Sequence, residues 1–152
     1  MTNLPEQRLL PPNPSACSPA NQAGNDACIN SPRGRVVGPL ALWIHRPELA
    51  TATEKLGSYL RFSTTLGPRL TELAILTTAK VWGSEFEWYA HKPMAIDAGL
   101  STAVIDAIQT GDAPPYDSEE ERAVHTFALR AATERQVSDA LYQATIDVLG
   151  KD

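Results

Sequence analysis

Glu87 and His91 stand four residues apart in the run SEFEWYAHKPMAIDA, residues 84–98. On a helix that spacing makes them neighbours. A carboxylate beside an imidazole orients the ring and favours its protonated form, which is the arrangement of a general acid/base near neutral pH. Ser84, Glu87, His91, Met94, Ala95 and Ala98 fall on one helical stripe, polar at its N-terminal end and apolar beyond. The same residues have a plainer reading. Ser84-x-x-Glu87 spells a capping box, and a histidine on an apolar face is commonly a satisfied structural residue. Glu85 and Lys92 fall on the solvated side, and Pro93 is expected to kink the helix near Tyr89.

Glu72 is the second candidate. It shares a helical face with Ile75, Leu76 and Ala79. Buried with a partner, it would be suited to proton transfer. At the edge of the stripe, it is a glutamate near a helix start, held there by the helix dipole. Periodicity alone favours the edge. His125, with Glu121 four residues before it, is expected to be structural, and His45 beside Trp43 is a candidate pocket-wall residue. Glu72, Glu87 and His91 are metal-ligand types. Without a His-x₃-His or Cys-x₂-Cys spacing, no metal site is expected. The sequence also has no Gly-x-Ser-x-Gly elbow and no glycine-rich phosphate loop.

The elements that position these residues are punctuated clearly. Pro47 opens residues 47–66, and Pro68 opens 68–82, which stops at Gly83. Residues 84–98 stop at Gly99, and Ser101 and Gly111 bracket the next segment. Ala113-Pro114-Pro115 forces a loop. Ser118-x-x-Glu121, another capping box with no chemistry implied, opens 118–134. Ser138 opens 138–149, before Gly150. No alternating strand pattern with a hairpin turn appears. The expectation is an all-α bundle of about six helices. Residues 1–32 read as a flexible Pro/Asn-rich tail without a core of its own, with a helical turn around Glu6–Leu10, and 33–152 as the domain.

Composition bounds the function. The chain has 152 residues, with 13 Lys plus Arg against 18 Asp plus Glu, a net charge of −5. That balance argues against a nucleic-acid partner, which needs a basic face. Hydrophobic residues at 43% and charged residues at 20% are globular values. No apolar run reaches the roughly 18–20 residues that span a bilayer, so no membrane partner is expected. The N-terminal stretch lacks a secretory signal's basic and apolar regions, so a cytoplasmic, reduced protein is expected. Cys17 and Cys28 make neither a disulfide framework nor a zinc site, and read as unpaired loop thiols rather than a redox pair. Ile146, Val148 and Leu149 lie close to the end of the sequence, an apolar stretch expected to be covered by a neighbour.

Residues 33–150 resemble the carboxymuconolactone decarboxylase/AhpD-like superfamily. The cues are RGRVVGPLALWIHRPELA, LGSYLRFSTTLGPRLTELAIL and VWGSEFEWYAHKPMAIDAGLS, in that order. The resemblance implies an all-α fold, a homo-oligomer (trimer or hexamer) and a pocket between helices and subunits. Relatives usually continue past residues 148–150 with a further apolar helix, and usually carry a helix where this chain has residues 11–30. The family's peroxidases use Glu, eleven residues, Cys-x₂-Cys, three residues and His. Laid on this chain, the Glu is Glu72, the His is His91, and the two cysteine positions hold Ser84 and Glu87. Peroxide reduction needs a thiolate and a resolving thiol, so the peroxidase reading is disfavoured.

The decarboxylase branch, which also lacks the cysteines, is the closer likeness. It implies a cofactor-independent acid/base reaction, a decarboxylation or proton transfer on a small carboxylated lactone or unsaturated carbonyl compound. His91 would be the proton donor, Glu72 would orient it, and Glu87 would help set its charge. Ser84, Trp88 and Tyr89, with Trp43 and Tyr59, would supply pocket wall. The alternative is a non-catalytic oligomeric binding or scaffold protein that keeps Glu72 and His91 as a buried polar pair.

Overall fold

The structure is a computed structural model that describes residues 9–13 and 18–151. It is all-α, with eight helices and no strand among the described residues: α1 (Pro19–Ile29), α2 (Pro39–Trp43), α3 (Pro47–Phe62), α4 (Pro68–Trp82), α5 (Glu85–Asp97), α6 (Thr102–Thr110), α7 (Glu119–Glu134) and α8 (Asp139–Leu149). The six helices expected from the sequence are α3–α8. The chain divides into two compact units, one ending at Thr64 and one beginning at Thr65.

In the first unit α1 and α2 both pack on α3. α1 lies where the sequence reading placed a structureless tail. Ser18 caps it by accepting the Asn21 N–H at 3.2 Å, and Pro19 occupies the first turn. Its contact with α3 is made by small residues. Gly24 and Cys28 are its buried positions, and a Cβ on Gly24 would stand 3.3 Å from Pro47 Cα. Helical periodicity counts large apolar side chains, so a helix docked through a glycine and a cysteine gives no signal. α2 is one turn long, too short to show a period. Arg33 approaches α3 at Gly57 and pairs with the buried Glu54 at 3.9 Å; Glu54 also accepts the Ser58 hydroxyl. His45 Nε2 donates to the Leu10 carbonyl at 2.8 Å. Cys17 and residues 6–8 of the expected N-terminal turn lie outside the described residues, and Leu9 and Leu10 are not helical.

In the second unit α4 is the hub, packed against α5, α6 and α7, and α7 packs against α8. Leu73 and Leu76 of α4, Ala95 of α5, Val104, Ile105 and Ile108 of α6 and Val124 of α7 form the core with Leu100. Leu149 of α8 packs onto it, while Val148 stays exposed. α4 stops because Gly83 adopts φ 62°, the left-handed conformation that turns the chain directly into α5. That tight link lets two residues 19 apart in sequence face each other across α4 and α5. α5 runs through Pro93 as one helix.

The two Ser-x-x-Glu boxes differ. At the start of α7 the serine half of the box forms, with the Glu121 N–H donated to Ser118 Oγ at 3.3 Å. Glu121 does more than cap. It is 0% exposed, accepts the Asp117 N–H at 2.9 Å, and makes an ion pair with Arg69 of α4. Nearby, Tyr116 and the buried His125 are joined at 2.7 Å. Burial pushes the His125 ring below its ordinary value and the Tyr116 phenol above its own. The ring is then neutral, and the phenol donates to its Nδ1. His125 is thus placed as a hydrogen-bonded core residue.

Candidate functional site

At the start of α5 no capping box forms. The Ser84 side chain makes no cap bond, and Glu87 turns along the helix toward His91 instead. Glu87 Oε2 lies 3.3 Å from His91 Nε2. On the ring's other side His91 Nδ1 lies 2.6 Å from Glu72 Oε2 of α4. Glu72 and His91 are 5% and 8% exposed, so Glu72 is the buried partner and not a stripe-edge glutamate. A carboxylate only accepts hydrogen bonds, so Nδ1 carries the proton and donates it to Glu72. Nε2 is left facing Glu87. It offers a lone pair when the ring is neutral and donates when the ring is charged. The three groups therefore form a line: a buried carboxylate, an imidazole, and a carboxylate about one-third exposed.

The exposed end of this line opens on a cavity of about 440 Å³. Ala74, Ile75, Thr78, Ala79 and Trp82 of α4 form one side, and Ser84 and Glu87 the other. This is within the size range of small-molecule sites. Its wall is mostly apolar, and Glu87 is the ionisable group among its lining residues. A second cavity of about 350 Å³ shares Ala79 and Ser84 with the first and adds Lys80, Glu85, Trp88 and Gln109. There Lys80 Nζ donates to the Gln109 carbonyl at 2.6 Å. Among the described residues no group of three or more His, Cys, Asp or Glu is arranged to hold a metal ion.

Of the residues expected at the site, Glu72, His91 and Glu87 come together, and Ser84 joins Glu87 at the cavity. Trp88 packs on the core and lines the second cavity. Tyr89 is 80% exposed and lines neither. Trp43 and Tyr59 belong to the first unit, where both are exposed. Glu85 is exposed, and Lys92 pairs with Asp106 at 3.3 Å. Sequence reasoning missed Ile75, Thr78 and Trp82 as cavity wall. The signal was present: they are spaced i, i+3, i+7 on α4, alongside the face that carries Glu72.

Neither the curated proteins nor the solved structures contain a match to this chain. The carboxymuconolactone decarboxylase family matches residues 47–134, from the first residue of α3 to the last of α7, which is more than half of the chain and includes Glu72, Glu87 and His91. With no strand among its described residues and the Glu72–His91–Glu87 line inside the matched region, this chain belongs to the carboxymuconolactone decarboxylase family.

Proposed function

We propose that the chain is an acid/base enzyme acting, without a cofactor, on a small carboxylated lactone or unsaturated carbonyl compound, by decarboxylation or proton transfer. The observation that carries this reading is the Glu72–His91–Glu87 line, which joins a buried carboxylate to the wall of a cavity. Glu87 meets the substrate. As a base it takes a proton from carbon, and as an acid it returns one. His91 supplies or withdraws that proton at Nε2. Glu72 holds the ring by Nδ1 and stabilises it when it is charged. In a decarboxylation the C–C bond to the leaving carboxylate breaks, its electron pair passes into the conjugated carbonyl, and the carbon is then protonated from Glu87.

The reading is supported less well for a thiol peroxidase. Ser84 and Glu87 occupy the positions where thiols would be needed, and Cys28 is fully buried, its thiol pushed up by burial. The assembly proposed is a homo-oligomer, a trimer or hexamer. Exposed apolar residues such as Leu56 and Leu60 on α3 and Phe86 and Tyr89 on α5 support association, and light scattering measures it. The activity is tested by deuterium uptake into a cyclic enone or unsaturated lactone in D₂O. His91→Ala is expected to lower the exchange rate at least about 10²-fold. Exchange unchanged in that variant overturns the proposal.

A further inference from the structure

The connection between α6 and α7 is anchored at both ends and tied to the helices between them by one side chain. At one end Gly111, at φ 87°, turns the chain out of α6, and the Asp112 N–H is donated to the Ala107 carbonyl at 2.9 Å. At the other end the Asp117 N–H goes to Glu121 Oε2 at 2.9 Å. Between the anchors stand Ala113, Pro114, Pro115 and Tyr116. Two of the four are prolines, which have no N–H to donate. Among the described residues, the hydrogen bond that ties this stretch to the helices joins the Tyr116 phenol to His125 Nδ1 of α7, at 2.7 Å. The two ring centroids lie 5.6 Å apart, and both His125 and Pro114 are buried.

We propose that residues 113–116 are a strap fastened by the Tyr116 phenol to a neutral His125, and that protonation of His125 releases the strap while the helices stay packed. A protonated Nδ1 does not accept the phenol's hydrogen. The bond reverses only if an imidazolium stays buried, and no counter-charge is free to meet that cation. Glu121, four residues before it on α7, is spent on Arg69 and on the Asp117 N–H. Arg122, three residues before it, is itself a cation and lies 5.3 Å from the Tyr116 ring centroid. α4 and α8 pack against α7. The charged residues of α4 besides Arg69 are Glu72, bound to His91, and Lys80, bound to the Gln109 carbonyl. Those of α8, Asp139 and Asp147, are exposed. Water is left to take up the charge, and it reaches the ring when the strap lifts. Burial already holds the ring below its ordinary value, the direction that keeps the strap fastened at neutral pH. The two anchors are made without His125, so the release is confined to the residues between them.

The test is NMR on the full-length chain with isotope-labelled tyrosine and histidine, from about pH 7.5 down to about pH 4.5. The Tyr116 ring signals are expected to move to the range of the exposed Tyr89, with the same midpoint as the His125 ring. Over that range the hydrogen-exchange protection of the Asp117 and Leu76 amides, corrected for the intrinsic effect of pH, is expected to hold within about threefold. His125→Gln keeps an acceptor without a titrating proton, and Tyr116 is expected to stay docked throughout. Tyr116→Phe covers the case of a His125 variant that fails to fold. It removes the donor that favours the neutral ring, and is expected to raise the His125 midpoint by at least about 0.5 in pH. A Tyr116 ring that stays in place while His125 titrates overturns the inference, because the bond has then only reversed. Loss of Leu76 protection together with Tyr116 release also overturns it, as acid unfolding of the bundle. So does a His125 that takes up no proton before the bundle unfolds. Release of Tyr116 in His125→Gln, or a His125 midpoint unmoved by Tyr116→Phe, overturns it as well.

Discussion

Glu72→Gln separates a proton-handling pair from a packing pair. The amide is nearly the shape of the carboxylate, and its oxygen still accepts the His91 Nδ1–H now donated at 2.6 Å. What it loses is charge. A hydrogen bond to a charged group contributes about 1.5–3 kcal/mol and a neutral one about 0.5–1.5, so the fold loses about 1 kcal/mol. In a chain of this size that lowers the Tm by about 2–4 °C. The reaction loses more. When Nε2 holds a proton in the course of turnover, the ring is a cation whose charge lies about 4 Å from that of Glu72. At an effective dielectric of about 20, that attraction is about 4 kcal/mol. The cost of burying Glu72 is common to ground and transition states and cancels. The Gln carbonyl recovers about 1 kcal/mol as a neutral bond, leaving a loss of about 3 kcal/mol, or about 10²-fold in rate. Glu72→Leu should be as inactive and also unstable by about 1–3 kcal/mol, because Nδ1–H is then buried without an acceptor. The assay is deuterium uptake into a cyclic enone or unsaturated lactone alongside a thermal melt. Exchange within a factor of about three of wild type in a folded Glu72→Gln protein would refute the relay, since rate would then be blind to the charge behind the ring.

Three further outcomes follow from the buried groups. Cys28 is fully buried and its thiol is pushed up by that burial, so a thiol reagent should modify it only on unfolding; fast native labelling at Cys28 would show that α1 is not docked as described. His125 has its pKa lowered by burial from the ordinary 6.5, so below pH 6.5 the unfolded chain binds a proton that the folded chain does not; stability should fall as pH drops below 6.5, and His125→Gln should flatten that slope in urea titrations. Arg69→Met strands the fully buried Glu121 carboxylate with its Asp117 N–H bond, and should cost about 3 kcal/mol at pH 7 by denaturant unfolding; a loss under about 1 kcal/mol would show that water reaches Glu121.

The bundle from α3 to α8 was legible because its ends are written in backbone chemistry. Pro47 and Pro68 fit first turns, Gly83 and Gly111 take left-handed φ, and Ser118 and Ser138 accept the orphan N–H groups of α7 and α8. These are local properties of one residue and its immediate neighbours, and sequence carries them intact. α1 was hidden for the opposite reason. Its place depends on Gly24 fitting close to Pro47, a contact across 23 residues made by the smallest side chain available. Glu121 was half legible. Ser118-x-x-Glu121 gives the cap, but the ion pair that buries it comes from Arg69, 52 residues away.

The site shows the same division. Ser84-x-x-Glu87 and Ser118-x-x-Glu121 are the same word, and only the second is a cap. The difference lies four residues downstream: position 91 offers a ring nitrogen to Glu87, while His125, four after Glu121, has its Nδ1 taken by the Tyr116 phenol. Each carboxylate goes to the partner that burial leaves open, His91 in one case and Arg69 in the other. Periodicity placed Glu72 at a stripe edge because it reads a single helix, whereas the partner that justifies burying Glu72 is on the next one. Family likeness supplied that pairing through a 19-residue spacing, which Gly83 makes physically possible by reversing the chain at once. The chemical consequence turns on Glu87. Where the family's peroxidases have a thiol it sets a carboxylate, at the cavity end of the Glu72–His91–Glu87 line, which is what the proposed acid/base reading rests on.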